Sequence, residues 1–174
     1  MRLLMLFVLA AFPVAAQDTT DEDPLEAPLP PVEERIGYSY YIVQGPTLDV
    51  VSEVMVAKGP ANGAALWQVT ATPDCAVSLN ATYTLPKLIG KRDFEDLDIA
   101  AWEGMLDALE LYQGRHISIA QEAASAVREA RCTTEDGGGV DAILAPFLER
   151  ANALDAETEN GRTDGVTLEL PEQG

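Results

Sequence analysis

Residues 75–85 read Cys-Ala-Val-Ser-Leu-Asn-Ala-Thr-Tyr-Thr-Leu. Cys75, Val77, Leu79, Ala81, Tyr83 and Leu85 alternate with Ala76, Ser78, Asn80, Thr82 and Thr84. Successive side chains of a strand leave on opposite faces, so this pattern describes a strand with one face on a core. Just upstream, residues 66–72 form a second strand-like run, and Pro73-Asp74 supply the turn between them. So short a connection pairs the two strands antiparallel. Residues 38–43 are aromatic and β-branched and predict a further strand, broken by Gly45-Pro46. Thr47 is an N-cap candidate for a short helix with Leu48, Val51 and Met55 on one face, ended by Gly59-Pro60.

Beyond residue 97 the period changes from two to three or four. Trp102, Met105, Leu109, Tyr112, His116, Ile119, Ala123 and Val127 fall along one stripe of a helix running from about 98 to 131. Gly104 and Gly114 are candidate bends in it, Cys132 follows its end, and residues 133–139 read as a loop. A last helix is expected over 140–159 with Leu144, Phe147, Leu148, Ala151 and Leu154 inward. Pro146 should start or kink that helix, and Asn160-Gly161 should stop it. Val166, Leu168 and Leu170 alternate and suggest a short edge strand. The sum is one α+β domain over residues 37–170, with a small antiparallel sheet packed against a long helix and a C-terminal helix.

The first 36 residues have a different character. Residues 1–16 read as a signal peptide: Arg2 is the positive start, residues 3–12 the apolar stretch, and Val14-Ala15-Ala16 the small residues before a cut. Residues 17–36 form an acidic linker rich in proline, whose like charges and Pro24, Pro28, Pro30 and Pro31 oppose compaction. A periplasmic or secreted location follows, with no membrane insertion after signal cleavage, since no apolar run is long enough to span a bilayer. In an oxidising compartment Cys75 and Cys132 are most simply a disulfide, the alternative being two free buried thiols. Hydrophobic residues make up 47% of the 174, which excludes wholesale disorder. The formal charge of -18 repels nucleic acid and anionic lipid, so nucleic acid is not an expected partner.

Residues 40–45 (Tyr-Tyr-Ile-Val-Gln-Gly), residues 67–70 (Trp-Gln-Val-Thr), Cys75, Leu85-Pro86, Trp102, Cys132 and residues 155–161 occur in an order and spacing that carry a resemblance. Together they resemble a bacterial domain-of-unknown-function family described as predicted secreted zinc-dependent proteases, zincin-like in fold. The resemblance implies a helix bearing H-E-x-x-H and a later third histidine. Two imidazoles four residues apart hold one Zn²⁺, and the glutamate beside the first takes a proton from the metal-bound water. The matching segment here is Tyr112-Gln113-Gly114-Arg115-His116, and the late histidine corresponds to Asn160. Only His116 remains of the expected set.

Each replacement removes a function. Tyrosine stays protonated near neutral pH, glutamine cannot accept a proton, and asparagine offers zinc only a neutral oxygen. The resemblance therefore implies a degenerate member of the family, catalytically inactive and without a cofactor, that binds extended peptide or an envelope protein. His116 is expected to be partly buried and hydrogen-bonded to a neighbour such as Tyr112 or Asn160. An active zinc peptidase with a non-standard site at His116 and carboxylates, and a structural envelope protein that works through its acidic tether, are the other readings. Three further motifs carry little. Gly137-Gly138-Gly139 follows no strand and lies beside Glu135 and Asp136, Asn80-Ala81-Thr82 reads as plain strand, and Ser118 points off the His116 face.

Overall fold

The computed structural model describes residues 28–58, 65–91, 94–135 and 137–168. Residues 1–16, read above as a signal peptide, most of the stretch read as linker, Gly59-Pro60 and Leu170 lie outside the described residues. The elements are β1 (Glu33–Val43), α1 (Leu48–Lys58), β2 (Leu66–Ala71), β3 (Val77–Leu88), α2 (Asp96–Glu129) and α3 (Val140–Glu157). The class is α+β, as the alternation followed by helical stripes predicts.

The sheet is mixed, with order β1-β3-β2. β2 and β3 form the expected antiparallel hairpin, from Leu66 opposite Thr82 to Ala71 opposite Val77. β1 departs from the expected antiparallel sheet: it runs parallel to β3, from Glu33 opposite Ser78 to Val43 opposite Leu88. The reason is the connection. The connection containing α1 leads from β1 into β2, which runs opposite to β1, and the hairpin then reverses the chain again, so β3 runs the same way as β1. β1 also starts earlier than predicted, so residues 33–36, read as linker, belong to the sheet. Glu33, Glu34 and Arg35 carry no strand signal of their own; pairing with β3 recruits them.

The β2–β3 connection is a three-residue loop, Pro73-Asp74-Cys75, closed by the Thr72 N–H donating to the Ala76 carbonyl at 3.1 Å. Its last residue, Cys75, has φ of 59°, the left-handed value such loops need and usually fill with glycine. Here the position is given to cysteine because the side chain is bonded to Cys132, just past the end of α2.

All eight residues of the predicted α2 stripe are buried. Two adjoining clusters divide the core. In one, Leu85 and Leu88 meet Trp102, Met105, Leu109 and Tyr112; in the other, Val77, Leu79 and Ala81 meet Ile117, Ala120, Ala123 and Val127. Thus α2 lies antiparallel to β3 along its whole length. Gln113, Ile117, Ala120 and Ala124 are buried as well, because α2 is covered by the sheet on one side and by α3 on another. In α3, Ala151 and Leu154 are inward as expected, but Leu148 is half-exposed and Ile143 takes a core place instead. Pro146 lies inside α3, not at its start, on an exposed side where water can serve the carbonyl left without its N–H. Residues 166–168 form no strand; Val166 and Leu168 pack on the first core cluster.

Candidate functional site

Tyr112, Gln113 and His116 are all buried on α2, at 1%, 0% and 2% exposure. They do not face one cavity. Gln113 turns to the sheet. β2 stops opposite Thr82, so the next outward pair of backbone groups on β3, at Thr84, has no strand partner. The Gln113 side chain supplies one: the Thr84 N–H donates to Oε1 at 2.7 Å, and Nε2 donates to the Thr84 carbonyl at 2.8 Å. An amide carries both a donor and an acceptor and satisfies the pair completely; a carboxylate would leave the carbonyl unserved. The residue that reads as a lost base is thus a fastening between α2 and β3. The signal for it is a polar residue at an inward position beside a strand that outruns its partner.

His116 and Tyr112 turn to α3. Tyr112 Oη donates to Asp155 Oδ1. His116 Nε2 lies 2.9 Å from the same oxygen, but its N–H is misaligned and makes no hydrogen bond. The two rings meet edge to face with centroids 5.0 Å apart. Asp155 is therefore the third member of this buried group, in place of the Asn160 expected from sequence. Asn160 is exposed, with φ of 59°, and serves the end of α3 by donating its backbone N–H to the Asp155 carbonyl at 2.7 Å. Gly161, next in the chain, is what touches Tyr112. A Cβ there would come within 3.1 Å of the ring, and φ is 85°. Arg115 points away and pairs with Asp164.

This donor set does not fit a zinc ion. The Tyr112 phenol is raised well above its ordinary range, chiefly by burial and then by Asp155, so it stays protonated and donates. Both polar atoms of the Gln113 amide are used by Thr84, and Asn160 is exposed. That leaves one imidazole and one carboxylate, and among the described residues no group of three or more His, Cys, Asp and Glu could hold a metal.

Burial pushes the His116 pKa below 6.5, and Arg115 adds to this while Asp155 opposes it. The unfolded chain then binds the proton more readily than the folded one. Stability is predicted to be full above about pH 6.5 and to fall as the pH drops through the lower folded value. Urea denaturation between about pH 7.5 and 5 should show this slope, flattened in His116→Asn. Asp74 and Glu122, held below their usual range by Thr72 and Arg150, contribute only at lower pH.

A second feature lies on β1. Val43 turns its carbonyl to the Ile89 N–H at 3.1 Å, so odd-numbered residues of β1 face β3 and even-numbered ones turn their backbone groups outward. The side chains at those outward positions are Ile36, Tyr38, Tyr40 and Ile42, exposed by 42%, 53%, 58% and 47%. Tyr38 stacks on Tyr83 of β3 at a centroid distance of 4.8 Å, and the Tyr40 ring lies parallel to it at 6.4 Å, with both interplanar angles 12°. Its hydroxyl donates to Glu110 of α2 at 2.9 Å. Gln121 of α2 reaches Glu34 at 2.8 Å in the same way further along. The two elements thus flank an open, aromatic and acidic strip.

The bacterial protein family of unknown function DUF922 matches residues 38–161. The chain belongs to DUF922. No curated protein and no solved structure matches it. The matched stretch begins at Tyr38 and ends at Gly161, so the DUF922 domain takes in the tyrosine stack, Gln113, the Tyr112–His116–Asp155 group and the disulfide. No helix among the described residues is long and apolar enough to cross a membrane.

Proposed function

We propose that this DUF922 protein is an exported, non-hydrolytic member of a zinc-protease-like family, and that it binds an extended segment of a partner protein as a strand added to β1. The observation that carries this reading is the outer edge of β1. Over 11 residues no strand covers it among the described residues. From Ile36 to Val43 it holds no charge or proline, the devices that usually keep such an edge from pairing. Exposed alternating Ile and Tyr side chains beside free backbone groups are the pattern that strand addition uses: main-chain bonds give affinity, and every second side chain gives selectivity. The non-hydrolytic reading is supported by the use of Gln113 and Tyr112 as structural fastenings. Export is supported by the Cys75–Cys132 disulfide and by the character of residues 1–16.

The test uses a substitution at an outward backbone position. Ile36→Pro removes one outward N–H and none of those facing β3, so the fold is kept. Purified protein is expected to bind extended peptides of alternating apolar and polar residues. Ile36→Pro should weaken this by about tenfold or more, the loss of one or two main-chain bonds and their register, at an unchanged melting temperature. Equal binding by the two proteins would remove strand addition as the mode. A concentration-dependent dimer that Ile36→Pro abolishes, with no peptide bound, would replace the partner by a second copy of the chain.

A further inference from the structure

We infer that the stacked tyrosines of β1 and β3, with Glu110, form a receptor for guanidinium or ammonium side chains, so that the peptide taken up is cationic and carries Arg or Lys at every second position. This rests on strand addition at β1 and adds the chemistry of the occupant. Tyr38 and Tyr40 lie two residues apart on one face of the strand, a rise of about 6.6 Å. A strand added outside β1 has the same repeat, so alternate side chains of the peptide would come beside successive rings. The rings are held: Tyr38 is packed on Tyr83 and its hydroxyl is fixed by Glu110. That hydrogen bond also raises the Tyr38 pKa, which keeps the phenol neutral. Preorganised tyrosine faces attract cations, Arg best, because its flat guanidinium also stacks.

The charge around the strip agrees. Glu110 accepts one hydrogen bond from Tyr38 and keeps unused acceptor capacity at the surface. Glu33 and Glu34 continue the acidity toward the start of β1, and the chain as a whole carries -18. Arg35, the one cation on β1, is engaged by Glu33 at 2.6 Å. An acidic peptide would meet repulsion at each of these places, and a neutral one would lose the ring contacts. Glu110 also explains why the strip is open. α2 reaches β1 through long polar side chains at Glu110 and Gln121, not by close packing, so the inner face of β1 stays accessible to a ligand.

Titration calorimetry with three peptides as long as β1, identical except for Arg, Gln or Glu at alternate positions, tests this. The Arg peptide is expected to bind about tenfold more tightly than the Gln peptide, as two cation–π contacts and one carboxylate allow. The Glu peptide is expected to show no heat. The double substitution Tyr38→Leu/Tyr40→Leu keeps the net charge and the apolar surface. It should remove most of the Arg preference and leave the Gln peptide unchanged; Glu110→Gln should remove the remainder. Equal Arg and Gln affinity in the unsubstituted protein overturns the inference while strand addition stands. A preference for Arg that survives both sets of substitutions assigns it to the long-range field and also overturns it. If none of the three peptides binds, strand addition falls first and the inference with it.

Discussion

Replacing Gln113 by glutamate is expected to destabilise the domain by about 4 kcal/mol at neutral pH, the cost of leaving a buried charge without a partner. The side chain is wholly buried and its amide serves both backbone groups of Thr84. A carboxylate could still accept from the Thr84 N–H, but it would face the Thr84 carbonyl oxygen with no proton between them. The pH dependence gives a second reading. The introduced acid has its folded pKa raised by burial, so the deficit is full above that raised value. It shrinks as the pH falls through it, because the protonated acid can donate to the carbonyl. Urea denaturation at about pH 7.5 and 5 would show the gap between variant and parent narrowing. A variant as stable as the parent at neutral pH would mean that Gln113 is no fastening. The result matters for function, since it separates a side chain retained for folding from a catalytic base lost by drift.

Reduction of the Cys75–Cys132 bond is expected to cost a similar amount, about 4 kcal/mol for the loop it closes in the chain-entropy account. The two cysteines are 57 residues apart, and their bond joins the β2–β3 loop to the end of α2. Both have positive φ, 59° and 61°. Without the bond these left-handed conformations have no reason to persist in non-glycine residues, and the loop and the last turn of α2 should loosen together. Denaturant midpoints with and without reductant, and with Cys75→Ser/Cys132→Ser, measure the effect. A midpoint unmoved by reductant in a protein shown to be reduced would place the constraint elsewhere.

Much of the fold can be read from periodicity. The alternation from Val77 to Leu85 and the stripe from Trp102 to Val127 are strong because each element buries one face of a regular repeat. The misreadings occur where a partner decides. Glu33 to Arg35 enter a strand because β3 is there to pair with, and Leu148 stays exposed because α3 turns Ile143 inward. The parallel direction of β1 depends on which end of the sheet the connection through α1 re-enters, and no local residue records that. At the candidate site, the burial of Tyr112, Gln113 and His116 follows from the helical stripe, but their partners do not. Thr84 is 29 residues from Gln113, and Asp155 is 43 from Tyr112. Asn160, placed by analogy of spacing, is displaced because α3 ends before it and the chain turns out at φ of 59°. The tyrosines of β1 read as ordinary strand residues until the sheet shows that nothing covers them.

The two rims of the sheet are unequal. β1 presents 11 residues and β2 only 6, and the stretch of β3 beyond β2 is closed at Thr84 by Gln113. A sheet with two long rims can recruit copy after copy and grow into a fibre. One with a single long rim can accept one guest, or meet one twin, and growth ends there because the opposite side has too little to offer. The asymmetry lets a sticky aromatic border coexist with assembly that stops at one step.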